Sequence, residues 1–181
     1  MEIEKTALDG VLILTPRRFG DARGFFSESW NKARMEEAGL HYDFVQDNHS
    51  VSAQVGTLRG LHFQAPPDAQ DKLVRCVQGA IFDVAVDIRP DSPTYGKWEG
   101  VILSAENHHQ LLVPKGFAHG FQVIGETAEV MYKCTDFYSP NDERGLLWSD
   151  PALNISWPDP QNAILSDKDL KYPLFENIVL D

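Results

Sequence analysis

The stretch Thr57–Gln64, TLRGLHFQ, sets one arginine and one histidine among apolar residues on either side of a glycine. It reads either as a half-buried strand with an incidental histidine or as a strand that presents a base beside an anion anchor. A histidine facing a polar cavity is well suited to general-base chemistry, because its ordinary pKa of ~6.5 lies near working pH. Taken alone, His62 is more often structural. The catalytic reading requires an orienting carboxylate, an acid and an oxyanion stabiliser as well.

The competing chemistry is metal binding. The six histidines are His41, His49, His62, His108, His109 and His119. A zinc or iron site needs three or four His, Cys, Asp or Glu side chains converging, usually with two at close spacing on one element. Metal-binding cupins carry H-x-H followed by Glu on one strand, and another His after a P-x-G turn on a later one. The matching places here read LHFQ and PKGFAHGF, which leaves only His62 and His119. Two imidazoles without a carboxylate make a poor ligand set, and the adjacent His108 and His109 point to opposite sides and suit a surface loop. The expectation is therefore no metal. Cys76 and Cys134 form no CxxC and read as buried thiols of a reducing compartment.

The elements that must position these residues are short apolar or alternating runs. VLIL, RGFFSES, DFVQDNHSVS, TLRGLHF, KLVRCVQ, AIFDVAVDI, WEGVIL, QLLVP, FAHGFQVI and TAEVMYKCTDFY read as strands, mostly separated by Gly, Pro, Asp or Ser. In Ile81–Ile88, Phe82, Val84, Val86 and Ile88 share a face expected to be core, and Asp83, Ala85 and Asp87 share one expected to be polar. Trp30–Leu40 has helix formers and closes on Gly39, and SDKDLKYP suggests a second, very short helix. This is an all-β pattern, leaving a sandwich, a jelly roll or a small barrel. A cupin-like jelly roll would place function on polar residues that face inward.

At 181 residues the chain suits one domain, residues 1–181, with no linker, repeat or low-complexity tract. Its 27 Asp and Glu against 16 Lys and Arg, a formal charge of -11, argue against nucleic acid or anionic membrane as a partner. A small anionic ligand responds to local basic clusters instead. MEIEKTALDG lacks the apolar stretch of a secretion signal and no segment approaches the ~20 apolar residues of a membrane helix, so a cytoplasmic location is expected.

Eight stretches, FGDARGFFSESW, FVQDNHS, LRGLHFQ, KLVRCVQGAIFDVAVDIR, SPTYGKW, LLVPKGFAHGF, YKCTDFYSP and LSDKD, occur in the order that resembles the dTDP-4-dehydrorhamnose 3,5-epimerase family, from Phe19 to Asp169. The resemblance implies a dimeric jelly roll that epimerises a dTDP-4-keto-6-deoxyhexose without a cofactor. It implies His62 as base, paired with Asp169, whose other reading is a capping box opening at Ser166. It implies Tyr132 as acid, where a core tyrosine is the plain alternative, and Lys72 beside the keto oxygen, where a solvated lysine is. Arg23, Arg59 and His119 match positions contacting phosphate or sugar, with Glu28, Gln46, Asp47, Asn48, Glu143 and Lys168 completing the binding set. Phe137 matches an aromatic that stacks on thymine.

One physical difficulty accompanies this assignment. Arg59 and His62 are three apart, so in a regular strand they face opposite sides. A bulge at Gly60 would restore a common face, and without it one of the two roles fails. Three other readings keep part of the pattern: an epimerase inverting only one centre, a metal-dependent cupin oxygenase, and a non-catalytic nucleotide-sugar binder.

Overall fold

The computed structural model describes residues 1–180. The elements run β1 (Glu2–Lys5), β2 (Leu12–Thr15), β3 (Arg18–Asp21), β4 (Gly24–Ser27), α1 (Lys32–Glu37), β5 (Gln46–Ser52), β6 (Leu58–Gln64), β7 (Lys72–Asp87), β8 (Trp98–Ser104), β9 (Gln110–Val113), β10 (Phe117–Cys134) and β11 (Glu143–Gly145). Short 3₁₀ turns follow at Asp169–Lys171 and Phe175–Asn177. The expected second helix is thus a single turn.

Two long strands organise the molecule. β7 and β10 pair antiparallel from Lys72–Cys134 to Asp87–Phe117. The first residues of β7 pair with β9 and its second half with β8, while β10 pairs with β6 early and β5 late. The β7–β10 ribbon therefore passes from one sheet, β1-β2-β9-β7-β10-β5, into a second, β8-β7-β10-β6-β11. This is a cupin-like jelly roll. KLVRCVQ and AIFDVAVDI are one strand rather than two, as are FAHGFQVI and the beginning of TAEVMYKCTDFY. The intervening glycine bends the strand instead of ending it: Gly79 has φ +75°, and a Cβ there would lie 1.9 Å from the Thr127 carbonyl oxygen.

The bend also changes which residues face inward. The central core takes Val74 and Cys76 from the first half of β7 but Ile81 and Ala85 from the second. The face expected to be polar is in fact buried, with Asp83, Ala85 and Asp87 all 0% exposed. It points into the barrel, while Val84, Val86 and Ile88 on the other face pack against Leu146, Leu153 and Trp157 from the C-terminal third. Both faces of this strand are covered, so its alternation marks two interiors rather than core and solvent.

The helix is shorter than Trp30–Leu40 because its ends are capped inside that range. Asn31 accepts from the Arg34 N–H at 3.2 Å. Leu40 N–H donates to Met35 and Gly39 N–H to Glu36, with Gly39 at φ +80°, a Schellman ending. Met35 is the buried knob, set against Leu14, Leu73 and Leu112 on the outside of the first sheet. β1, β3 and β11 were not anticipated: β1 and β3 are exposed along their whole length and β11 has three residues, so none carries a burial period.

A final feature places the C-terminal segment. Ile164 bridges Thr57 in parallel, accepting from Leu58 N–H at 2.8 Å and donating to Gly56 at 3.0 Å. That strap lays the residues following Ile164 alongside β6.

Candidate active site

Strand register collects the inward polar residues. Lys72 lies opposite Cys134 and Val74 opposite Tyr132, while Tyr132 and Cys134 lie opposite Asn48 and Gln46. Side chains alternate between faces, so Lys72, Tyr132, Gln46 and Asn48 share the interior side and Asp47 and Lys133 share the other. Asp47 indeed lies outside, paired to Lys133 at 2.8 Å.

The difficulty at Arg59 and His62 is resolved at Gly60. His119 pairs with His62 and Phe121 with Arg59, so β6 advances three residues while β10 advances two. This is a bulge, with Gly60 at φ +124° and its backbone pressed on β10: an added Cβ would lie 2.6 Å from Gly120 Cα and 2.8 Å from the His119 carbonyl oxygen. Arg59 and His62 consequently line the same cavity. Arg59 is held by Nε donating to Ser52 Oγ at 3.1 Å and Nη2 to the Val51 carbonyl at 3.2 Å.

His62 Nε2 meets Asp169 Oδ1 at 2.6 Å, with the His62 side chain 31% exposed and that of Asp169 6%. Burial works to raise the Asp169 pKa, but hydrogen bonds from His62, Ser166 and the Gly60 N–H, with the charge of His62, hold it below the ordinary carboxylate value. Ser166 Oγ also accepts from the Asp169 N–H at 3.1 Å. The serine half of the capping-box reading is therefore present, yet the carboxylate itself goes to the imidazole. The edge of the Tyr172 ring closes on His62 at 5.6 Å between centroids.

His119 forms a second pair of the same kind, Nε2 to Asp83 Oδ1 at 2.7 Å, with Asp83 completely buried. Sequence reasoning missed Asp83, whose only signal was its place in an alternation taken to face solvent. Burial lowers the Lys72 pKa, opposed by the charges of Cys134, Asp83 and Glu143. Burial raises that of Tyr132, as do Cys134 and Glu143, against the charge of Arg59. At the rim Lys168 Nζ pairs with Glu143 at 2.6 Å and Tyr138 donates to the same carboxylate at 2.8 Å.

These groups surround a cavity of about 450 Å³, lined among others by Arg59, His62, Lys72, His119, Tyr132, Lys168 and Asp169. A second lobe of about 260 Å³ shares His62, Lys72 and Tyr132 and adds Gln46, Asn48, Tyr138 and Glu143. Four of the residues expected at the site do not line either lobe. Arg23 sits at the exposed β3–β4 hairpin on Asp21, Glu28 pairs with Arg34, Asp47 faces outward, and Phe137 is 65% exposed. Sequence reasoning did not name Ser50, Thr57, Gln64 or Ser166 among the lining residues. Isolated small polar residues carry no spacing signal.

An imidazole oriented by a carboxylate can take a proton, a phenol lining the same cavity can give one, and an ammonium lining it can stabilise the anion between the two steps. Fold and site together define a jelly-roll enzyme of acid–base chemistry. The sequence profile of the family described as dTDP-4-dehydrorhamnose 3,5-epimerase matches residues 5–177, and the chain belongs to that family. It is 60% identical over 171 residues to the dTDP-4-dehydrorhamnose 3,5-epimerase of Shigella flexneri, covering 94% of this chain and 93% of the relative. The Bacillus anthracis dTDP-4-dehydrorhamnose 3,5-epimerase, solved with TDP and PPi bound, superposes with TM-score 0.93 at 54% identity over 96% of this chain and 98% of its own. The Legionella pneumophila dTDP-6-deoxy-D-glucose-3,5-epimerase, in complex with dTDP-4-keto-L-rhamnose, gives TM-score 0.94 at 49% identity over 98% and 94%.

Proposed function

We propose that the protein is a cofactor-independent epimerase inverting carbons 3 and 5 of dTDP-4-keto-6-deoxy-D-glucose to give dTDP-4-keto-L-rhamnose. The keto group acidifies the hydrogens on both flanking carbons, so the reaction needs a base, an acid and an enolate stabiliser and no redox partner. His62 takes the proton, with Asp169 fixing its tautomer and stabilising the imidazolium. Lys72 faces the enolate oxygen, where one fixed donor is worth roughly 3 to 4 kcal/mol of barrier. Tyr132 returns a proton to the opposite face. Arg59, His119, Lys168, Glu143, Gln46 and Asn48 hold the diphosphate and sugar; the planar fork of arginine suits phosphate.

The observation that carries this reading is the 2.6 Å His62–Asp169 pair on a cavity wall that also presents Tyr132 and Lys72. Incubating the protein with dTDP-4-keto-6-deoxyglucose in heavy water and following the sugar by NMR tests it. Deuterium at both carbons is expected; deuterium at one assigns a single-centre epimerase, and none at either overturns the reading.

The working unit is a homodimer of single-domain chains in the cytoplasm. The β3–β4 hairpin exposes Phe19, Phe25 and Phe26 at 51, 58 and 69%, an apolar patch suited to a second copy. Arg23 and Glu28, which line neither lobe of this chain's cavity, would then serve the partner's, while Phe137 stacks on thymine and Asp47 borders the site from β5. Sedimentation showing a monomer at assay concentration would overturn the dimer alone.

A further inference from the structure

Asp83 has no role in the chemistry so far, and its environment is unusual. The side chain is 0% exposed, Oδ1 meets His119 Nε2 at 2.7 Å, and Oδ2 is buried without a hydrogen-bond partner among the described residues. Removing a carboxylate from water costs several kcal/mol even after relaxation. A neutral acceptor would orient His119 equally well without that cost, so a purely structural role leaves the charge unexplained.

The position of the charge supplies an account. Asp83 faces the barrel interior from β7, and His119 stands between it and the cavity, with its Nε2 occupied by Asp83 and Nδ1 left as the ring nitrogen open to the cavity. Lys72 begins the same strand, lines both lobes and feels the Asp83 charge. The other charged or titratable groups around the pair are Arg59 and His62 from β6, the buried Cys76 thiol from β7, Tyr132 from β10, and Lys168 and Asp169 from the C-terminal segment. Asp83 is thus a buried carboxyl group beneath a cavity wall that carries Arg59, Lys72 and Lys168.

We infer that Asp83 is a positioning residue of this site: through one oxygen it fixes the His119 ring with Nδ1 toward the cavity, and with the other, left without a partner, it draws the Lys72 ammonium toward the cavity floor. A carboxylate on one ring nitrogen fixes the tautomer and orientation of the imidazole beside it and offers a direction to a flexible lysine. The sugar held by His119 and the ammonium of Lys72 then stand in a fixed arrangement as the enolate develops, without reorganisation at the moment of reaction. The inference rests on the epimerase reading of the cavity.

The test is Asp83→Asn, which keeps an acceptor for His119 and removes the charge. Expected are dTDP affinity within about threefold of wild type by calorimetry, kcat for exchange at carbons 3 and 5 lower by about 100-fold, and KM little changed. The double variant with His119→Gln should lose no more kcat than the worse single variant. Wild-type kcat in folded Asp83→Asn, a kcat loss matched by loss of dTDP binding, or additive losses in the double variant would overturn the inference. A readout independent of any variant is the wild-type NMR spectrum of the imidazoles: a downfield His119 Nε2–H bonded to Asp83 is expected, and a His119 ring protonated on Nδ1 alone overturns the inference. Absence of exchange in the wild type, with the His119 resonance present, instead removes the epimerase reading.

Discussion

His62 and His119 are register partners across β6 and β10, and each holds a buried carboxylate with Nε2, Asp169 at 2.6 Å and Asp83 at 2.7 Å. The two pairs differ in access. The His62 side chain is 31% exposed and that of His119 9%, so His62 is the one that can meet both substrate and exchanging solvent. His62→Asn should lower deuterium exchange into the sugar by about 10³-fold, within the range a positioned base contributes. Asp169→Asn should cost about 10²-fold with dTDP affinity retained, because the ring stays while its tautomer is no longer enforced. Exchange at the wild-type rate in His62→Asn removes it as base.

Tyr132 makes a different prediction because it acts after the base. Tyr132→Phe keeps the ring that packs against the core and removes the proton donor. The enolate can then be reprotonated only from the side it was formed on. Deuterium should still enter the substrate, with inversion suppressed by about 10²-fold, and NMR of recovered sugar distinguishes label from configuration. Equal loss of label and inversion would place Tyr132 in binding instead.

The sequence carried the strands and the proton-transfer set unevenly. Alternation revealed most of the strands, but it could not say that Gly79 continues β7 around a corner, since a glycine that bends a strand and one that ends it look alike. For the same reason the alternation around Asp83 announced a polar face where the second side is a buried interior. Asp169 lies 107 residues from His62 and Ser166-x-x-Asp169 has a sound local explanation as a cap. Only family resemblance joined them, because the Ile164 strap that delivers Asp169 is tertiary. The parity conflict between Arg59 and His62 was the exception: a local rule demanded a bulge at Gly60, and one is there.

That bulge is itself testable. Gly60→Ala places a methyl in a backbone region that favours glycine and within 3 Å of β10 backbone atoms that cannot move independently. Urea unfolding should show a loss of roughly 2 to 4 kcal/mol. The folded fraction should lose epimerase activity, because relieving the clash moves Arg59 or His62 off the shared face. Stability and activity close to wild type would mean the bulge is not required.

Lys72 sets the alkaline side of the pH profile. Its ammonium is the form that stabilises an enolate, and burial lowers its pKa from the ordinary 10.5. Activity should therefore fall as pH rises through a value below 10.5. Tyr132 is shifted the other way by burial, above 10.0, so the phenol is not the first group lost. Lys72→Arg, charged throughout this range, should keep measurable activity and move the alkaline limb upward. An unmoved limb assigns it to another group.

Acid stability is controlled away from the cavity, at Asp87. Its side chain is fully buried, and it accepts from Arg89 Nη2 at 2.7 Å, Ser92 Oγ at 2.6 Å and Thr94 Oγ1 at 2.6 Å. Burial alone would raise its pKa, but these bonds and the Arg89 N–H win and hold it far below the ordinary value of 3.8. A carboxylate depressed in the folded state binds fewer protons there than in the unfolded chain. The stabilisation it provides is therefore complete above the unfolded pKa and is lost as pH falls from there toward the folded one. Asp87→Asn removes the anion that Arg89, Ser92 and Thr94 converge on, and should cost about 3 kcal/mol at pH ~7. The cost should shrink as urea unfolding is repeated at successively lower pH below ~4, where the wild type loses the same contribution by protonation. A cost that stays constant across that window would show that packing, rather than the charge of Asp87, supports the loop from Arg89 to Thr94.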